Sequence, residues 1–97
     1  MRLEELQQLI ETMYSSKDRE RGSEATFLWL CEEVGELAAA IREGSRQDKA
    51  EEFADVLAWL ATLANVEGID LAQAVRDKYG AGCPGCGLDV CQCDEKP

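Results

Sequence analysis

Trp29-Leu-Cys-Glu-Glu-Val-Gly-Glu-Leu-Ala38 and Glu51-Glu-Phe-Ala-Asp-Val-Leu-Ala-Trp-Leu60 decide the fold of this chain. Both read as helices, because their apolar residues recur every three or four positions. The first stripe runs through Phe27, Leu30, Cys31, Val34, Leu37, Ala38 and Ile41, the second through Phe53, Val56, Leu57, Leu60, Leu63 and Ala64. Only Gly44 to Gln47 separate them. A connection that short makes the two helices antiparallel neighbours. Gly44 is placed to end the first as a left-handed cap, and Asp48, with Glu51 three residues on, to open the second with a capping box.

Outward from this hairpin the chain stays helical. Leu3, Leu6, Ile10 and Met13 predict a helix over residues 2–14. Ser15 to Gly22 is polar and reads as a loop, with Ser23 as the next N-cap. Gly68 ends the long second stripe. Asp70 and Gln73 open a short helix that Gly80 closes. No alternating pattern competes, so the class is all-α, a four-helix bundle over residues 1–80 followed by a cysteine-rich tail at 81–97. Four helices of this size make a thin core, and a homodimer or dimer of dimers is the expected remedy.

With 97 residues, 20 acidic against 10 basic and a net charge of −10, the chain has room for one small domain. The acidic excess argues against a nucleic-acid polymer or an anionic membrane as partner. No apolar run approaches a membrane span, and the charged, amphipathic start is unlike a signal peptide, so a cytoplasmic protein is expected.

The two deciding helices carry carboxylates at matched spacing. Glu33 and Glu36 share a face, as do Glu52 and Asp55. A turn centred between Ser45 and Arg46 would set Glu36 opposite Asp55, with Glu33 and Glu52 about one turn away in opposite directions. Trp29 precedes Glu33 by four residues and Trp59 follows Asp55 by four. The acids lack i,i+4 compensation: Glu32 and Glu36 repel, as do Glu51 and Asp55, and only Lys49 is spaced to help Glu52. A solvated acidic face is the simple alternative. Hard oxygen ligands at this density suit Mg²⁺ or Mn²⁺. A di-iron bundle site would want histidines, and the chain has none.

The ordered pair Glu-Glu-x-x-Glu and Glu-x-x-Asp on these helices resembles the MazG-like nucleotide pyrophosphohydrolases over roughly residues 23–80. That all-α superfamily includes dimeric dUTPases and phosphoribosyl-ATP pyrophosphohydrolases. The resemblance implies Mg²⁺-dependent hydrolysis of a nucleoside triphosphate to the monophosphate and pyrophosphate, a house-cleaning of the nucleotide pool. By it, Glu33, Glu36, Glu52 and Asp55 correspond to metal ligands, and Glu32 to the acid that orients or deprotonates water. Trp29 and Trp59 could stack on the base or pack in the dimer, although large apolar residues are more often core. Lys78 corresponds to a lysine that reaches substrate phosphates. The chain departs from the pattern after Lys78. Many members continue with an Asn and an Arg, whereas this one runs Tyr79-Gly80-Ala81-Gly82 into cysteines. Phosphoribosyl-ATP or dUTP hydrolysis is the alternative on the same scaffold, and a non-catalytic, zinc-tailed interaction module the alternative in another class.

Cys83-Pro-Gly-Cys86-Gly-Leu-Asp-Val-Cys91-Gln-Cys93 supplies four thiols in eleven residues. Cys-Pro-x-Cys-Gly resembles a zinc knuckle, and four cysteines in one short loop suit a tetrahedral Zn²⁺ site. Disulfides, an iron–sulfur cluster or a redox tail are the alternatives. Cys31, on the apolar stripe, reads as a core residue.

Overall fold

The computed structural model describes residues 1–97. It holds three helices and no strand: α1 (Leu3–Glu43), α2 (Arg46–Glu67) and α3 (Leu71–Tyr79). No helix is long and apolar enough to cross a membrane.

The expected loop at Ser15–Gly22 is helix instead. Its residues are charged, but nothing in Ser15–Arg21 breaks a helix, and exposed polar side chains are compatible with one. Arg19 adds a 2.8 Å ion pair to Glu11 on the same arm. The break comes at Gly22 alone, at φ 82°, ψ 173°. That region is essentially closed to residues with a Cβ. Gly22 therefore bends α1 into an N-terminal arm and a C-terminal arm, and the expected first two helices become one kinked element. Ser23 lies inside helical backbone, one position past the break, and is not the N-cap.

The hairpin turn is tighter than the sequence suggested. Ser45, not Asp48, caps α2. Its hydroxyl accepts from the Asp48 backbone N–H at 3.1 Å, and Asp48 accepts from the Ser45 N–H at 3.0 Å. Glu51 accepts from Gln47 instead of completing a box. Gly44 is extended, at φ −83°, and is not a left-handed cap. Gly68 is left-handed at φ 70° and ends α2 as expected. Asp70 caps α3 by accepting from the Gln73 N–H at 3.0 Å.

Gln7 ties the α1 arm to the far end of the hairpin. Its amide donates to Asn65 Oδ1 and to the Ile69 carbonyl, and its oxygen accepts from the Leu71 N–H. The seam itself is built from small residues: the buried apolar side chains are Ile10, Ala40, Ala61, Ala64 and Ala72. The expected apolar stripes are wider than this seam. Phe27, Val34, Ile41 and Phe53 are each about half exposed or more, and Cys31 is exposed rather than in the core.

Candidate functional site

α1 and α2 run side by side, so acids on their facing edges meet. With the turn centred between Gly44 and Ser45, Asp55 comes level with position 34 rather than 36. Glu33, Glu52 and Asp55 accordingly converge, with one oxygen from each within 4.8 Å of the others. In that register Glu33 lies about one residue beyond the level of Asp55, which shares one face of α2 with Glu52. Glu36, expected directly across from Asp55, is exposed and stands outside this trio, as does Glu32.

None of the chain's ion pairs involves these carboxylates, Lys49 included. Burial from water raises Glu33 and Glu52 above the ordinary carboxylate range, and the Asp55 charge pushes both further up. Glu36 adds to the same repulsion at both. Glu52 Oε2 is buried without any hydrogen-bond partner. An unpaired buried oxygen among like charges is costly unless a cation takes it. The donor set, three hard oxygens with an orphan among them, fits a small divalent cation.

The tryptophans occupy the next layer of the groove. Trp29 and Trp59 stack across the hairpin, ring centroids 6.0 Å apart and 17° from parallel. The Arg21 guanidinium covers Trp59, 4.8 Å from its ring centre. Beside them lies a cavity of about 350 Å³ between the N-terminal arm of α1 and α2. Tyr14, Lys17, Asp18 and Arg21 line it from α1, and Asp55 and Trp59 from α2. Asp55 thus belongs to both the carboxylate cluster and the cavity.

Asp18, Arg21 and Lys17 went unnoticed in the sequence, where Ser15–Gly22 reads as loop. The i,i+3 pair Asp18–Arg21 next to a helix-breaking glycine was the available signal. Asp18 is buried, accepts from Arg21 at 3.0 Å through Oδ1, and leaves Oδ2 with no partner. Arg21 also reaches the buried Thr26 hydroxyl at 3.4 Å. Lys78 is exposed on α3, 5.6 Å from the Tyr79 ring, and does not line the cavity.

In the tail, Cys83, Cys86, Cys91 and Cys93 gather with their sulfurs within 4.8 Å of one another, all as free thiols. Backbone N–H groups of Gly85, Gln92 and Cys93 donate to Cys83, Cys86 and Cys91 at 3.3–3.4 Å. The Gln92 and Leu88 N–H groups pull the Cys86 thiol down to about 6. Cys93, hydrogen-bonded to Cys91 and partly buried, is pushed up to about 11. A Cβ on Gly85 would come within 2.9 Å of Cys93 Sγ, so a larger residue there would crowd the thiol cluster. Four convergent sulfurs in this arrangement could hold a metal ion.

No curated protein matches this chain. Residues 21–86 match the family of the MazG nucleotide pyrophosphohydrolase domain, which takes in the C-terminal arm of α1, all of α2 and α3, and the first two tail cysteines. The chain belongs to the MazG nucleotide pyrophosphohydrolase family.

Proposed function

We propose that the chain is a Mg²⁺-dependent nucleoside triphosphate pyrophosphohydrolase that releases a nucleoside monophosphate and pyrophosphate and so clears nucleotides from the pool. The observation that carries this reading is the meeting of Glu33, Glu52 and Asp55, uncompensated by any cation, at the edge of the Asp55–Trp59 cavity. Glu33, Glu52 and Asp55 would hold the cation, with Glu36 as an outer ligand one turn along α1. When bound, Mg²⁺ supplies charge neutralisation for the triphosphate and acidifies coordinated water. Glu32, beside this set, accepts the proton of the water that attacks phosphorus as the bond to the pyrophosphate leaving group breaks. Trp59, already covered by Trp29 and Arg21, would border the base rather than stack on it, and Lys17, on the cavity wall, would reach toward the phosphates. Lys78 is a more distant phosphate contact.

Two further assignments accompany this one. The half-exposed faces of Phe27, Val34, Ile41 and Phe53 lie on the same two helices, and a second copy of the chain would cover them. The tail would hold Zn²⁺: a Zn–S bond of about 2.3 Å gives sulfurs about 3.8 Å apart in a tetrahedron. Cys83 Sγ lies 3.5 Å from Cys91 Sγ and 3.9 Å from Cys93 Sγ, on either side of that value.

Pyrophosphate release from a panel of nucleoside triphosphates, with and without Mg²⁺, tests the activity. Metal-dependent release supports it. Silence across the panel from folded protein overturns it.

A further inference from the structure

We propose that the tail thiol cluster is also an oxidative modification site: a peroxide converts Cys83 and Cys91 to a disulfide, and the cluster thereby gives up its metal ion. The inference rests on the zinc assignment above and adds a reaction to that site.

Three observations carry it. The sulfurs are spaced unevenly. Cys83 Sγ lies 3.5 Å from Cys91 Sγ and 3.9 Å from Cys93 Sγ, so both close contacts involve Cys83 and the shorter one singles out Cys91. A disulfide holds its sulfurs at about 2.05 Å, a short further approach for two side chains on neighbouring loops. The cluster is also open on one side. Cys83, Cys91 and Cys93 line a cavity of about 580 Å³ between the end of α3 and the tail, and Cys86 does not. Cys91 is exposed, so a small oxidant in that cavity meets its sulfur. Finally, little besides the sulfurs holds the tail in shape. No residue of 81–97 is buried. Only two backbone hydrogen bonds form within it, from the Cys83 N–H to the Leu88 carbonyl and from the Gly87 N–H to the Cys83 carbonyl. A change at the sulfurs therefore meets little resistance from packing.

A thiol that ligates a metal is held as the thiolate, the form that attacks a peroxide. The Cys91 sulfur takes one oxygen of hydrogen peroxide as the O–O bond breaks, giving a sulfenic acid and a hydroxide. The Cys83 thiolate then attacks that sulfur, the S–S bond forms, and a second hydroxide leaves. Two thiolates have given up two electrons, and one peroxide has accepted them. Cys86 and Cys93 remain, two ligands where a closed zinc site needs four. A dithiol reductant reverses the change through a mixed disulfide.

The test uses the full chain loaded with zinc under reducing conditions, as the Cys31→Ser variant, so that the one cysteine outside the tail adds no background. One equivalent of hydrogen peroxide is added after the reductant is removed. Zinc release is followed with a chromophoric chelator, and free thiols are counted. Cleavage before Asp89 separates Cys83 and Cys86 from Cys91 and Cys93, and fragment masses assign the bridge. The expected result is loss of the zinc ion and of two thiols per chain, a Cys83–Cys91 bridge, and recovery of both thiols with dithiothreitol. Retained zinc with four free thiols overturns the proposal. So does release with the bridge at any other pair, or with sulfinic acid in place of a bridge. If the reduced chain takes up no zinc, the zinc assignment fails on its own. Thiol counting and bridge mapping on that metal-free chain then judge the modification: a Cys83–Cys91 bridge supports it, and its absence overturns it.

Discussion

Trp29 and Trp59 stack at 6.0 Å across the α1–α2 hairpin, each four residues from a member of the carboxylate cluster, Glu33 and Asp55 respectively. Four residues is about one helical turn, so the ring pair and the acids form successive layers of one groove. The stack seats the two helices in the register that brings the acids together.

The cluster should trade stability for activity. Glu52→Gln and Asp55→Asn are each expected to lower kcat/KM on the order of 100- to 1,000-fold, as loss of a transition-state contact does. The same changes relieve like-charge repulsion, so the metal-free variants should melt at higher temperature than the metal-free wild type. Pyrophosphate assays and thermal scans of the same samples check both signs. Glu36→Gln, at the exposed edge, should cost less activity than either.

Acidity should act on the metal-free fold in a defined direction. Glu33 and Glu52 have raised folded values against an ordinary 4.5. Their contribution to stability is fully present below the ordinary value and is lost as pH rises through the raised ones. Melting temperatures of the wild type and of a Glu33→Gln, Glu52→Gln double variant, followed from about pH 4 to 8, should therefore diverge, the wild type falling behind at neutral pH. Mg²⁺ should close that gap near neutrality and lose its effect in acid, where protons displace it.

Gly22 should be irreplaceable at its bend. Gly22→Ala places a Cβ residue in a backbone region reserved for glycine and should cost about 1–3 kcal/mol. Nothing lies within 4 Å of the added methyl, so the loss would be conformational and not steric. Urea denaturation measures it. Because the bend sets Asp18 and Arg21 against Trp59, Trp fluorescence should report the change as well.

The tail should carry one zinc ion per chain. Cys83→Ser or Cys86→Ser should abolish it, as measured by metal analysis of purified protein. Gly85→Ala should weaken it by crowding Cys93 Sγ. Helical content, by circular dichroism, should survive zinc removal, since α1, α2 and α3 end before Cys83.

The reach of the sequence can be judged element by element. Apolar period and stop signals located the hairpin, the Gly68 end and the Asp70 cap, because those depend on neighbours a few residues away. Polarity misleads at Ser15–Arg21, where a run of charge reads as loop although the helix-breaking chemistry is confined to Gly22. A shift in the turn of about one residue brings Asp55 level with position 34, and the tightest convergence is of Glu33 with Glu52 and Asp55 rather than of Glu36 with Asp55. The Asp18–Arg21–Trp59 contacts join the N-terminal arm of α1 to α2, and no local pattern carries that information. Cys31 sat on a genuine apolar stripe, but the small-residue seam is narrower than the stripe.

The most direct measurement is pyrophosphate release from nucleoside triphosphates by the wild type and by Glu52→Gln, each shown to be folded, with Mg²⁺ added or chelated. The account predicts release only with Mg²⁺, and from Glu52→Gln at least about 100-fold less than from the wild type. Equal release by Glu52→Gln, or release that ignores the metal, would contradict a catalytic centre built on Glu33, Glu52 and Asp55.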